Sequence, residues 1–316
     1  MKKKYVFNEL INKELTEFEE YLKTKNLTLE SIKIKQNYVG RFLQYLENEN
    51  LKYTEIRYAQ MLSFIEELSN QETSKQLINI ILLSVRNYYE FLKTTDKNLK
   101  NPAINIRLRG TINKIPEKII KFELLEEIYK EYKTENLKTK RNKIILGLLV
   151  YQALTTAELH KLTPENILLN KAQIYVPAGR KTNTRTLNLQ GLQVVELYEY
   201  LQKTRDKILQ NIQNTKIVNP FNKTTETQLF ISDNGYRNIK PVLKELFKEI
   251  RQIYPEIENA EQIRRSVLVY KLKTLNLRQV QYFAGHRYVS STEKYLLNNI
   301  EDLKRQTELF HPLQFI

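Results

Sequence analysis

Near its C-terminal end the chain reads Gln262-Ile-Arg264-Arg265-Ser266, then Phe283-Ala-Gly285-His286-Arg287, then Ser291-Thr-Glu-Lys-Tyr295. Taken singly these residues say little. Tyr295 is one of 20 tyrosines, and a tyrosine on a helix face ordinarily packs against its neighbours. Arg264 and Arg265 suit the positioning of any phosphate backbone. His286, one of three histidines, follows a glycine at a helix start, where a cap or a core contact is the ordinary role. What distinguishes the stretch is order and spacing: an arginine, a Gly-His pair after one further helix, and a tyrosine a short way beyond.

Glycine and proline number only seven and eight, and apolar residues recur at three- and four-residue intervals. Most of the chain is therefore expected to be helical. Four helices fit the first part, over roughly 9–25, 29–49, 55–69 and 73–94, with Thr28, Thr54 and Thr73 as caps. Asn101-Pro102 ends the fourth, and the stretch from Arg107 to Pro116 mixes basic residues with Gly110 and loses helical periodicity. This places a helical domain at 1–106, a linker at 107–118, a second domain at 119–300 and a tail at 301–316. Helical pattern resumes at 122–133 and 139–153, and a short helix follows Thr155. Ile144 to Leu154 is too short for a membrane span and reads as a buried core helix. Gln173-Ile-Tyr-Val-Pro and Arg185-Thr-Leu-Asn-Leu flank a basic turn containing Gly179, the pattern of a β-hairpin, with Ile167 to Leu169 as a further edge strand. Beyond residue 190 the chain is helical again, with breaks near Asn219-Pro220, Asp233-Asn-Gly235 and Pro255.

The 316 residues suffice for two cores. Lys and Arg outnumber Asp and Glu by 51 to 36, a formal charge of +15 spread along the chain. Such a surface attracts polyanions, and nucleic acid is the default partner because each neutralised phosphate releases counterions. The absence of cysteine excludes disulfides and thiolate metal sites. The start, MKKKYVFNELINKELTEF, is basic but has no apolar run after it, so neither a signal peptide nor a membrane partner is expected, and the location expected is cytoplasmic.

The C-terminal stretch resembles the second half of the tyrosine recombinase (phage integrase) signature, in which an arginine, a Gly-His pair and a tyrosine follow in this order and spacing. Upstream, Leu148-Leu-Val-Tyr-Gln-Ala-Leu-Thr155-Thr-Ala-Glu158-Leu159 is similar to the family's first box. The Arg180-Lys181 turn lies where the family places its catalytic lysine. The four helices at the start are similar to its core-type DNA-binding domain, so the resemblance covers roughly residues 5–300. It implies a mainly α protein with a small β-hairpin. A helical, SAM-like core-binding domain would precede an α+β catalytic domain, the two closing as a C-shaped clamp on double-stranded DNA. It also implies site-specific DNA integration or recombination, with Tyr295 attacking a phosphodiester to form a 3′-phosphotyrosyl bond and free a 5′-hydroxyl. Arg264 and His286 would stabilise charge on the non-bridging oxygens. Lys181 or Arg180 would protonate the leaving oxygen. Arg265, Arg185, Arg287 and Arg141 would hold DNA phosphates, while Thr155, Glu158 and Glu261 shape the site. No metal or other cofactor is called for. Assembly would be a dimer on one site and a tetramer in synapsis, linked by a tail carrying Leu303, Leu309, Phe310, Leu313, Phe315 and Ile316.

Two positions depart from the family pattern. Where the first box carries an arginine two positions after a glycine, Ala153-Leu-Thr155 puts a threonine; Thr155-x-x-Glu158 is also a capping box for a short helix. Where the second box opens with a histidine, the chain has Glu261, a negative charge beside the phosphate. Arg141, Arg185 and Arg265 could each supply the missing cation, and the sequence does not choose among them. An active recombinase, a silent DNA-binding paralogue and a relaxing topoisomerase all remain open at this point; the joint retention of Arg264, His286 and Tyr295 favours the first.

Overall fold

Leu15, Phe18 and Leu22 recur at helical steps and form the buried face of α1 (Glu9–Thr24). The same spacing turns Val39, Phe42 and Leu46 inward on α2 (Leu29–Asn48), Phe64 and Leu68 on α3 (Tyr58–Asn70), and Ile81, Val85 and Tyr88 on α4 (Lys75–Leu92). The computed structural model, which describes residues 8–110, 118–179, 181–214, 227–232 and 238–296, joins these stripes into one core. Aromatic rings fill it. Phe18 meets Tyr88 edge-on with centroids 5.6 Å apart, and Phe42 meets Phe64 at 5.2 Å, the arrangement that ring quadrupoles favour. Asn8, Thr28 and Ser74 cap α1, α2 and α4 by accepting a backbone N–H. Of the expected caps only Thr28 acts as one. Ser74 takes the place of Thr73, and α3 starts after Arg57 because Tyr53–Glu55 form a separate 3-10 turn.

Contacts divide the chain into two compact units, Met1–Asn113 and Lys114–Ile316. Leu108, expected in the linker, is instead tied to α4: Asn79 accepts from its N–H at 2.9 Å and donates to its carbonyl at 3.0 Å. A side-chain amide there satisfies the backbone as a neighbouring strand would, which hydrophobic periodicity cannot reveal. Past residues 111–117, which lie outside the described set, the Ile120 N–H donates to Ser266 Oγ at 2.9 Å and anchors the start of the second unit.

That unit contains α5 (Phe122–Glu131), α6 (Leu137–Gln152), α7 (Thr156–Lys161), the strands β1 (Ile167–Leu168), β2 (Gln173–Val176) and β3 (Arg185–Asn188), then α8 (Gly191–Glu199), α9 (Arg205–Asn214), α10 (Lys240–Ile253), α11 (Ala260–Thr274), α12 (Leu277–Ala284) and α13 (Ser290–Glu293). A π-helical turn, Tyr200–Thr204, joins α8 to α9. The middle of α6 is apolar on every side, and Ile145, Leu146, Leu148, Leu149 and Val150 have no exposed surface. Such a helix belongs in the centre of a core. Gly147 lets α5 approach it, since a Cβ there would lie 2.8 Å from Tyr129 Cε2. The strands form an antiparallel sheet in the order β1-β2-β3, with Ile174 opposite Leu187 and Val176 opposite Arg185. Strand alternation therefore sends Ile174, Val176, Leu187 and Arg185 to the buried face. The expected breaks at Asn219-Pro220 and Asp233-Asn-Gly235 lie outside the described residues, as do the tail and Arg180; α10 ends at Ile253, just before Pro255. Among the described residues no helix is long and apolar enough to cross a membrane.

Candidate active site

The site is assembled where α6 stops. Its C-cap, Ala153, adopts a left-handed conformation (φ 50°, ψ 38°), the geometry for which glycine is the residue without steric cost. Two residues later Thr155 caps α7. Its Oγ1 accepts the Glu158 N–H at 3.2 Å, and the Glu158 carboxylate accepts from the Thr155 N–H at 2.8 Å and hydroxyl at 2.9 Å. The capping box expected from the sequence is thus present, and it fixes Glu158 as well as the helix start. Arg185, delivered from the buried face of β3, donates to Glu158 through Nη1 at 2.6 Å and Nη2 at 3.3 Å, and through Nε to the Phe283 carbonyl at 2.7 Å. Burial alone would raise the Glu158 carboxyl. The Arg185 hydrogen bonds and charge, the Thr155 N–H and the Arg264 charge outweigh it and hold the group below the ordinary carboxylate range.

Arg264 rises from α11 into the same pocket and is only 6% exposed. Its Nη1 donates to the Ala153 carbonyl, and its Nη2 donates to the Ala284 carbonyl at 2.7 Å and to His286 Nε2 at 3.2 Å. A guanidinium can only donate, so His286 Nε2 accepts, the imidazole proton sits on Nδ1, and Nδ1 donates to Thr292 Oγ1 at 2.8 Å. Burial, with the charges of Arg264, Lys294 and Arg185, pushes the His286 pKa down to about 4, so the ring is neutral at physiological pH. Tyr295 lies parallel to that ring, centroids 6.1 Å apart and planes at 7°, with Lys294 Nζ 5.1 Å from its own centroid. Burial raises the Tyr295 pKa; the Arg264 charge opposes this, Glu261 adds to it and Arg265 opposes it.

Gly285 connects the two halves. Its φ of +69° is left-handed, and a Cβ there would sit 2.9 Å from Arg185 Cζ and 3.2 Å from the Asn183 carbonyl oxygen. The Asn183 N–H donates to the Gly285 carbonyl at 2.8 Å, and Thr182 forms an isolated β-bridge to His286. The turn between β2 and β3 is thereby docked beside His286, with exposed Lys181 one residue from the bridge. Gly285→Ala is expected to cost about 2 to 4 kcal/mol, as left-handed strain adds to overpacking against Arg185. Denaturant unfolding measures it; a loss under about 1 kcal/mol would mean that the buried arginine can shift, as cores do only when slack is present.

Arg264, His286, Tyr295, Thr155 and Glu158 therefore come together, and Lys181 stands next to them. Glu261 lies exposed in the first turn of α11, and Arg287 is exposed after His286. Two expected phosphate contacts need correction. Arg185 is an internal partner of Glu158, its side chain fully covered, because it shares with Leu187 the strand face turned to the core. Arg141 has no exposed surface and spends its guanidinium on the Ile231 carbonyl at 2.7 Å and on Asn142 Oδ1. Thr292 and Lys294 were not singled out from the sequence. Thr292, three residues before Tyr295, is fully buried and accepts the Nδ1 proton of the His286 tautomer that Arg264 fixes. Its only sequence signal is that helical step to the tyrosine.

The model of the phage integrase family matches residues 118–301. Among curated proteins, the tyrosine recombinase XerC of Oceanobacillus iheyensis is 24% identical over 93% of this chain and 94% of its own length. XerC of Staphylococcus aureus (strain MRSA252) is 21% identical over 91% and 92%. Among solved structures, the XerH site-specific recombinase in its post-cleavage complex with a palindromic difH substrate aligns over 92% of this chain and 82% of that one, with a TM-score of 0.70 at 17% identity. The Tn1549 transposon integrase in complex with transposon right end DNA aligns over 92% and 99%, with a TM-score of 0.61 at 16% identity. These likenesses extend over both units and share the fold described above. With more than half of its length matched by the family model, and with an arginine, a Gly-His turn and a tyrosine gathered in one pocket, the chain belongs to the phage integrase family, the tyrosine recombinases.

Proposed function

We propose that the chain is a site-specific recombinase that cleaves and rejoins double-stranded DNA through a 3′-phosphotyrosyl bond to Tyr295. The observation that carries this is the convergence of Arg264, His286 and Tyr295, linked by a hydrogen bond and a ring stack, although they come from three separate stretches of chain. The Tyr295 oxygen bonds to phosphorus, the bond from phosphorus to the 5′-oxygen breaks, the phenol gives up its proton, and the 5′-oxygen gains one. Burial keeps the phenol protonated until then. Arg264, held in place by the Ala153 and Ala284 carbonyls, presents fixed positive charge to the non-bridging oxygens. His286 accepts from Arg264 at rest. It becomes a donor to phosphate by taking up a proton at Nε2, which the anionic phosphate favours. Lys181, on the docked turn, is the acid for the 5′-oxygen; a lysine releases its proton more readily than an arginine. The phosphotyrosine conserves the bond energy, so a second strand's 5′-hydroxyl reverses the step without metal or nucleotide.

The basic surface and the DNA complexes of XerH and the Tn1549 integrase support duplex DNA as partner. A dimer on one site and a tetramer in synapsis, in the cytoplasm, complete the proposal. The test is a nicked duplex carrying a site selected by the protein, incubated with metal chelated and run on a denaturing gel. The expected result is a covalent protein–DNA adduct. Firm binding with no adduct would instead favour a silent DNA-binding subunit in which Thr155 and Glu261 mark lost chemistry.

A further inference from the structure

Thr155 leaves the site one cation short of the family pattern, and the three arginines that might replace it differ sharply in the structure. Arg141 is wholly covered and bonded to the Ile231 carbonyl and Asn142. Arg185 is wholly covered and bonded to Glu158 and the Phe283 carbonyl. Turning either toward DNA would abandon buried partners, in the second case a buried carboxylate. Arg265 is in the opposite condition. It follows Arg264 on α11, is half-buried, and its Nε is shut off from solvent without a hydrogen-bond partner. A buried N–H without an acceptor is costly, and each such group in a folded protein calls for an explanation.

The guanidinium is thus committed to no internal acceptor among the described residues, and its charge bears on the site. Its charge is felt at the Tyr295 phenol and also at the Glu258 carboxylate, which is paired with Lys118. It lies one helical turn beyond Glu261, the exposed carboxylate whose charge also reaches Tyr295. A guanidinium there offsets the unwanted negative charge and still has donors to spare. Lys294, over the Tyr295 ring, is the other cation at hand, but an exposed lysine is a point charge without the planar fork that matches two phosphate oxygens.

Building on the recombinase function proposed above, we propose that Arg265 is the second arginine of the catalytic site, its guanidinium contacting a non-bridging oxygen of the scissile phosphate in place of the charge that Thr155 lacks. The test uses the full chain and a duplex that it selects from a randomised pool, prepared with one uncharged methylphosphonate linkage at each position in turn. Binding is measured for wild type, Arg265→Ala, Arg265→Lys and Lys294→Ala, each first shown to melt as wild type does. At one linkage, neutralisation is expected to weaken wild type and Lys294→Ala by about 100-fold and Arg265→Ala by only about tenfold, one charged contact having been removed already. Arg265→Lys should fall between. Equal penalties in wild type and Arg265→Ala at every linkage would overturn the inference, as would a penalty that shrinks in Lys294→Ala instead. An Arg265-dependent linkage without any covalent adduct would sink strand cleavage and leave the phosphate contact standing. An adduct at a linkage indifferent to Arg265 would do the reverse, and failure to select any duplex would remove both.

Discussion

Glu158→Ala is expected to lower the unfolding free energy by about 3 to 5 kcal/mol, because it strands the Arg185 guanidinium in the core without its partner. Both side chains are covered, and the pair links the α6–α7 turn, β3 and the end of α12. Arg185→Ala should cost about as much. Replacing both, Glu158→Leu with Arg185→Met, should recover most of the loss, since a well-packed apolar pair spares the desolvation of two charges. Chemical denaturation of the three variants decides it; three equal losses would contradict the ion-pair account of the site.

The same pair sets an acid limit. The Glu158 pKa is held below the ordinary 4.5, so its contribution is in full force above that pH and is lost as pH falls through the lower folded value. His286 acts with the same sign in a higher window: its pKa is pushed from 6.5 to about 4, so the unfolded chain takes up a proton first and stability declines between those values. Wild type should therefore weaken below about pH 6.5, as its unfolded histidine protonates, and go on weakening below about 4.5, where the His286 contribution levels off and that of Glu158 begins to be lost. Glu158→Ala should lack the second, more acidic component.

Arg264→Lys is expected to slow formation of the covalent adduct by about 100- to 1,000-fold while the protein still binds DNA, the range seen when one preorganised donor to a developing oxyanion is removed. A lysine keeps the charge but cannot reach the Ala153 carbonyl, the Ala284 carbonyl and His286 together, as the guanidinium does. His286 would lose the donor that fixes its tautomer, so the pH profile of cleavage should shift as well as the rate. Single-turnover kinetics on the nicked duplex measures both; a rate within threefold of wild type would show that Arg264 is only a structural arginine.

Much of this arrangement was legible in the sequence, for physical reasons that also explain the misses. The helical steps Leu15, Phe18, Leu22 and the unbroken apolar run of α6 report burial directly, and burial determines the elements. Thr155-x-x-Glu158 is local chemistry, and it closes as a capping box. Arg185 and Arg141 differ from expectation because arginine on a basic protein reads as surface. The alternation Arg185-Thr186-Leu187 was available as a warning, since it places the arginine on the same strand face as a buried leucine. Arg141 has no comparable signal: its partner, the Ile231 carbonyl, lies 90 residues away. Nor does Asn79, whose two bonds to Leu108 draw part of the expected linker onto α4. Such long-range pairing of polar groups leaves no period behind, and it is what turns three arginines of one type into two internal braces and one half-buried guanidinium without an internal acceptor among the described residues.

The most direct measurement is to trap the adduct on a nicked duplex, digest it and locate the attached nucleotide by mass spectrometry, in wild type and in Tyr295→Phe. The expected result is a nucleotide on the peptide containing Tyr295, absent from the Phe variant, whose DNA binding is unchanged. A nucleotide on any other of the 20 tyrosines, or an adduct that survives Tyr295→Phe, would contradict Tyr295 as the nucleophile of the pocket built by Arg264 and His286.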